Sequence, residues 1–135
     1  SMPSTRILMI SSAVALGLLG LFVSFTPEAF LAALGASATG PVPVLLKLVG
    51  GLYLGFAMMN WMAKDNMIGG IYSRPVGAGN FLHFFVGALS LAKHQVASEP
   101  NSLLLAGLGV YVVFGAWFGW LVFGQGAACS VASNE

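Results

Sequence analysis

Apolar residues fall into four long runs, and the breaks between them hold most of the polar chemistry. The first run, Ile7–Phe25, follows Arg6. As a helix it measures ~28 Å, close to the thickness of a bilayer's hydrocarbon core. The second run predicts a span over about Val44–Ala63, the third over Pro75–Ala92 and the fourth over Ser102–Gly124. Between the first two, Thr26-Pro27-Glu28 has the pattern of N-cap, N1 and N2 of a short helix ending near Gly35. Phe30, Leu31 and Leu34 place that helix in the membrane interface. Pro41 and Pro43 then restart the chain. The pattern predicts an all-α integral membrane protein. Its architecture is an up-down four-transmembrane-helix bundle with a short interfacial helix after the first span. Residues 1–135 read as one domain.

Composition points the same way. The chain is 58% hydrophobic and 7% charged, with a mean hydropathy of +0.91. Soluble domains carry roughly 25% charged residues. So few charges cannot cover a water-facing surface, so lipid has to solvate much of it. The net charge of +1 makes no electrostatic case for nucleic acid. A lone cysteine, Cys129, excludes an internal disulfide and a cysteine-based zinc site.

The faces of the spans differ. Ala13, Gly17, Gly20 and Ser24 fall within about 60° on a helical wheel, a face that lets another helix approach. In the second span Lys47, Gly51, Gly55 and Met58 share one face, and Tyr53, Ala57, Asn60 and Lys64 share another. Gly51 and Gly55 form a G-x-x-x-G pair, and Lys47 reads as snorkelling to the headgroups. The fourth span repeats the pair at Gly115 and Gly119. There are 18 glycines in 135 residues, about twice the usual ~7%. That excess predicts self-association, most simply a C2 homodimer. The third span is the most polar. Asn80, His83, Gly87, Ser90 and His94 lie within about 80° of one another, which turns that face toward the bundle interior.

The stretch Asn60–Asn80 joins the two central spans and holds Lys64, Asp65 and Arg74. Trp61 and Tyr72 flank it as interfacial aromatics do, and Gly69-Gly70 marks a turn. The string N-W-M-A-K-D, G-G-I-Y-S-R-P and G-N-F-L-H-F, followed by a Tyr- and Phe-rich last span, resembles an uncharacterised family of short four-helix bacterial integral membrane proteins. The resemblance implies the fold and a bacterial inner membrane. It implies no activity and transfers no functional residue.

The polar residues bear on three kinds of chemistry. For a metal site, His83 and His94 stand ~16 Å apart along a helix and cannot share an ion. Met58 and Met62 have the spacing of a thioether pair but lack a partnering Cys or His, so they read as filler. For catalysis, the chain has no G-x-S-x-G elbow, H-E-x-x-H motif or phosphate loop. No catalytic residue, metal or cofactor is assigned. The third kind is a polar cluster. Asn60 ends one span, Asn80 begins the next, and His83 lies one turn deeper. An Asn–Asn or Asn–His clamp between helices and the floor of a pocket are both open readings.

The function expected is that of a non-enzymatic membrane protein binding a lipid-like or small amphipathic molecule in an intramembrane pocket. Tyr53, Asn60, Asn80, His83 and Tyr111 would line it, with Arg74 and Lys64 at its mouth to hold an anionic headgroup. The alternatives are a small oligomeric transporter or channel subunit, and a membrane enzyme without a recognisable motif. Partners are then membrane lipids, such a ligand and a second copy of the chain. Arg6, Lys64 and Arg74 on one side, against Lys93 and Lys47 on the other, favour N- and C-termini in the cytoplasm.

Overall fold

The computed structural model describes residues 3–66 and 73–124. The Gly69-Gly70 turn, Tyr72 and Cys129 lie outside the described residues. The elements are α1 (Pro3–Phe25), α2 (Pro27–Ala33), α3 (Val42–Ala63), α4 (Ser73–Ala97) and α5 (Ser102–Gly119). The last runs on into a π-helical turn, Trp120–Gly124. Among the described residues there is no strand. Four helices are long and apolar enough to cross a membrane. Large apolar side chains stand exposed on every one of them, among them Leu18, Leu52, Leu89 and Val113.

Each expected span falls within helix, the fourth continuing through the π turn, and the largest difference is at the end of α4. α4 runs to Ala97, five residues past the expected end at Ala92, and carries His94 on the helix rather than in a loop. From sequence, Lys93–Asn101 reads as a loop that holds His94, Glu99 and Pro100. In the structure His94 stands in the last turn of α4. Between Ala92 and Pro100 no glycine or proline interrupts the chain.

The chain divides into two compact units, Met9–Lys64 and Ser1–Leu8 with Asp65–Glu135. In the first, α1 and α3 pack antiparallel through small residues. A Cβ added at Gly17 would stand 3.6 Å from the Ala57 Cβ. One added at Gly20 would come within 2.9 Å of Leu54 Cγ and 3.1 Å of the Gly50 carbonyl oxygen. One added at Gly50 would collide with Ser24 Oγ. The small-residue face of α1 is therefore a packing face, as its spacing predicts. On α3 the contact runs along Gly50, Leu54 and Ala57, and a Cβ at Gly51 or Gly55 would meet nothing within 4 Å. The G-x-x-x-G pair is thus not what α3 turns toward α1.

α2 follows the bend after Phe25. Thr26 occupies the N-cap position without capping, because its hydroxyl donates back to the Phe22 carbonyl at 2.7 Å. Pro27 opens the helix, where a missing N–H is harmless. The far end closes as a Schellman motif. Gly35 takes φ +73°, its N–H reaches the Ala32 carbonyl at 3.0 Å, and Ala36 N–H reaches the Leu31 carbonyl at 2.9 Å. The Phe22 and Phe30 rings meet edge to face, 5.7 Å between centroids.

In the second unit α4 and α5 form an antiparallel hairpin. Asn101 starts α5, its Oδ1 accepting from Leu103 N–H at 3.0 Å and Leu104 N–H at 3.2 Å. Phe84 is fully buried at the centre, against Tyr111, Phe114 and Phe118. Glycines again allow the approach. A Cβ at Gly115 would stand 3.5 Å from Phe84 Cβ, and one at Gly119 3.0 Å from Phe81 Cε2. Beyond Gly119 the π turn carries Phe123, whose ring meets Phe81 edge to face at 5.2 Å.

The α1–α3 geometry separates two glycines that adjoin in sequence. Gly50→Ala pushes a methyl into Ser24 and the backbone of α1, and should destabilise by about 1–3 kcal/mol. Gly51→Ala meets open space and should be neutral or stabilise by up to ~1 kcal/mol through helix propensity. Unfolding midpoints of the two variants in the same detergent check this, and equal midpoints refute it.

Candidate functional site

Of the residues singled out from sequence, His83 and Tyr111 are brought together most plainly. Tyr111 Oη and His83 Nε2 stand 3.0 Å apart, and the two ring centroids 5.3 Å apart. Tyr111 is 7% exposed and His83 is half-buried. The helices fix this pair for simple reasons. His83 and Gly87 are one turn apart on α4, so Gly87 stands beside the imidazole on the same face. A Cβ at Gly87 would run into the Tyr111 ring, so only glycine leaves the phenol room to lie against α4. Phe84 supports both partners, edge-on to His83 and to Tyr111, with centroids 5.0 Å away in each case.

The pair has two hydrogen-bonding forms. Either the phenol donates to Nε2 and the imidazole carries its proton on Nδ1, or Nε2–H donates to the phenol oxygen. Around it the walls are phenylalanine. Phe118 stacks on Phe84 at 5.8 Å and Phe114 leans on it at 5.2 Å. This is a polar pair set in an aromatic, apolar surround, able to give and accept a hydrogen bond.

Asn80 lies one turn before His83 on α4 and is fully buried. Its Nδ2 donates to the Val76 carbonyl at 2.8 Å, a bond within the same helix. Arg74 is exposed in the first turn of α4 and forms no ion pair among the described residues.

The remaining candidates belong to the Met9–Lys64 unit. Asn60 is fully buried, and its Nδ2 donates to Ser12 Oγ at 3.0 Å. Ser12 in turn donates to the Met9 carbonyl at 3.1 Å, making a short relay from α3 across to α1. Sequence reading missed Ser12. The available signal was its place beside the small-residue face of α1, where it is a polar side chain on the side of the helix that another helix approaches. Tyr53 is half-buried on α3. Lys64 folds back on its own helix, its Nζ 3.3 Å from the Trp61 carbonyl oxygen and 4.5 Å from the Trp61 ring centre. It thereby satisfies a carbonyl at the end of α3.

Arg6 and Asp65 form an ion pair at 3.4 Å, with both side chains more than half exposed. At that exposure the pair contributes little to stability. Among the described residues no group of three His, Cys, Asp or Glu could hold a metal ion. Met58 and Met62 are both exposed on α3. No protein-family model matches the chain, and no curated protein or solved structure matches it.

Proposed function

We propose that this chain is a non-enzymatic small integral membrane protein that binds a lipid-like or small amphipathic molecule. The observation carrying that reading is the His83–Tyr111 hydrogen bond, held at 3.0 Å among phenylalanine rings on two apolar helices. Polar side chains in a membrane helix cost insertion energy, and hydrocarbon returns no hydrogen bond. An amphipathic ligand uses both parts of such a site: its hydroxyl or carbonyl meets the pair, and its tail or ring meets the phenylalanines. Asn80, one turn before His83 on the same helix, extends the polar lining, and Arg74 in the first turn of α4 receives an anionic headgroup.

Mass spectrometry of what co-purifies tests this directly. His83→Ala and Tyr111→Phe should each deplete a bound species several-fold. The accompanying loss of stability should be small, about 0.6 kcal/mol and at most ~2 kcal/mol for a hydrogen bond between membrane helices. Unchanged co-purifying species, with stability falling, would make the pair a clamp only.

The membrane arrangement that fits this function is an up-down bundle of the four long helices, with α2 in the interface. Both termini lie in the cytoplasm of a bacterial inner membrane. The support is the distribution of Arg6, Lys64 and Arg74 against Lys47 and Lys93. Reporter fusions should show a cytoplasmic signal after Glu135 and a periplasmic one near Thr39, and the reverse pattern inverts the protein.

We further propose a homodimer through the α3 face that carries Lys47, Gly51, Gly55 and Met58. Its support is the open space beyond both glycines. Native mass spectrometry in mild detergent should find a dimer that Gly55→Leu abolishes. A monomer at every concentration, or a dimer indifferent to Gly55→Leu, rejects this face.

A further inference from the structure

Gln95 lies on the α4 face that meets α5, one turn beyond Leu91 and in line with Phe84. Leu91 itself reaches the backbone of α5, its Cδ1 4.0 Å from where a Gly107 Cβ would stand. Both polar atoms of the Gln95 amide are sealed from solvent, and neither has a hydrogen-bond partner among the described residues. No other described side chain is in that condition. An amide carries two N–H donors and a carbonyl acceptor. Leaving them dry costs the desolvation of both groups with nothing in return.

Where that cost can be relieved depends on what else would have to move. Gln95 stands two residues from the end of α4 at Ala97. Val96 is 90% exposed, and Ala97 to Pro100 are exposed as well. Opening this end gives up little apolar contact. Eleven residues back from Gln95 the balance is opposite, because Phe84 is fully buried among three rings and opening there would expose all of them. The hairpin therefore has a firm middle and a yielding end, and the unsatisfied amide sits at the yielding end. Its neighbours there are the exposed polar residues Lys93, His94, Ser98 and Glu99, so the approach is hydrated.

We propose that the Gln95 end of the α4–α5 hairpin is a water-binding site. It opens locally, admits water to the amide and recloses. Neither polar atom is reachable by water while the end is closed, so binding and opening are one event. The site is independent of the His83–Tyr111 pair and stands whether or not that pair holds a ligand.

Hydrogen–deuterium exchange of the full chain in lipid nanodiscs tests it. Backbone amides of Leu91–Ala97 should exchange at least about tenfold faster than those of Phe84–Ala88. Gln95→Met keeps the length of the side chain and removes its polar atoms. It should slow exchange over Leu91–Ala97 by about tenfold, the factor expected for removing one dry amide, and raise the thermal midpoint. Gln95→Leu repeats the test with a branched chain and should slow exchange in the same segment. If either variant leaves that exchange within about twofold of wild type, or speeds it, the amide is not what opens the hairpin and the proposal fails.

Discussion

A side chain that needs a hydrogen bond inside an apolar span has to find it within the protein, and that constraint shapes this structure more than any other. The buried polar residues meet it in different ways. Asn60 reaches across to Ser12, which passes the bond to a backbone carbonyl. Asn80 bonds to a carbonyl of its own helix. Tyr111 and His83 satisfy each other across the α4–α5 contact. The first and third of these also fix register, because the partners meet only when two helices are correctly set along their length. Burial of apolar surface cannot do this in lipid, where the surroundings are as apolar as the side chains.

Close approach is the other half of the same problem. Short hydrogen bonds between helices need backbones near one another, and in each unit a glycine supplies the room. Gly50 and Gly20 let α3 settle against α1, and the Asn60–Ser12 bond lies on that same contact. Gly87 lets the Tyr111 ring settle against α4, which puts its hydroxyl in reach of His83. The polar residue and the missing side chain work as a set in both places.

Much of this was legible in the sequence, and the rest was not, for identifiable reasons. The four spans show in the length of the apolar runs, which depends only on composition. The α1 face of Ala13, Gly17, Gly20 and Ser24 shows because small residues recur at helical spacing. For α3 the spacing pointed to Gly51 and Gly55, whereas Gly50 makes the contact with α1. Adjacent glycines stand 100° apart on a helix, and nothing local says which of them faces the partner. Among the candidate site residues, the Tyr111–His83 contact joins residues 28 apart and Asn60–Ser12 joins residues 48 apart. Such pairings depend on how antiparallel helices are offset, which periodicity within one helix does not encode. The end of α4 lies past the boundary the apolar run marks at Ala92, because the polar residues Lys93 and His94 continue the helix where that run stops.

The π turn at Trp120–Gly124 has a bearing on how this helix tolerates changes in length. Its hydrogen bonds reach one residue farther than those of an α-helix, so it winds more slowly and holds an extra residue. A helical wheel drawn for α5 at constant angle therefore goes out of phase after Gly119. Upstream of that point Tyr111, Gly115 and Phe118 keep the i, i+4, i+7 spacing that seats them against α4, and all three are buried. The phase slip is absorbed downstream of the aromatic centre. Phe123 comes closer to standing in line with Gly119, where Phe81 can meet both. An inserted residue near the end of α5 is thus accommodated as a local loosening of the winding, and the azimuth of Tyr111 relative to His83 stays as it is.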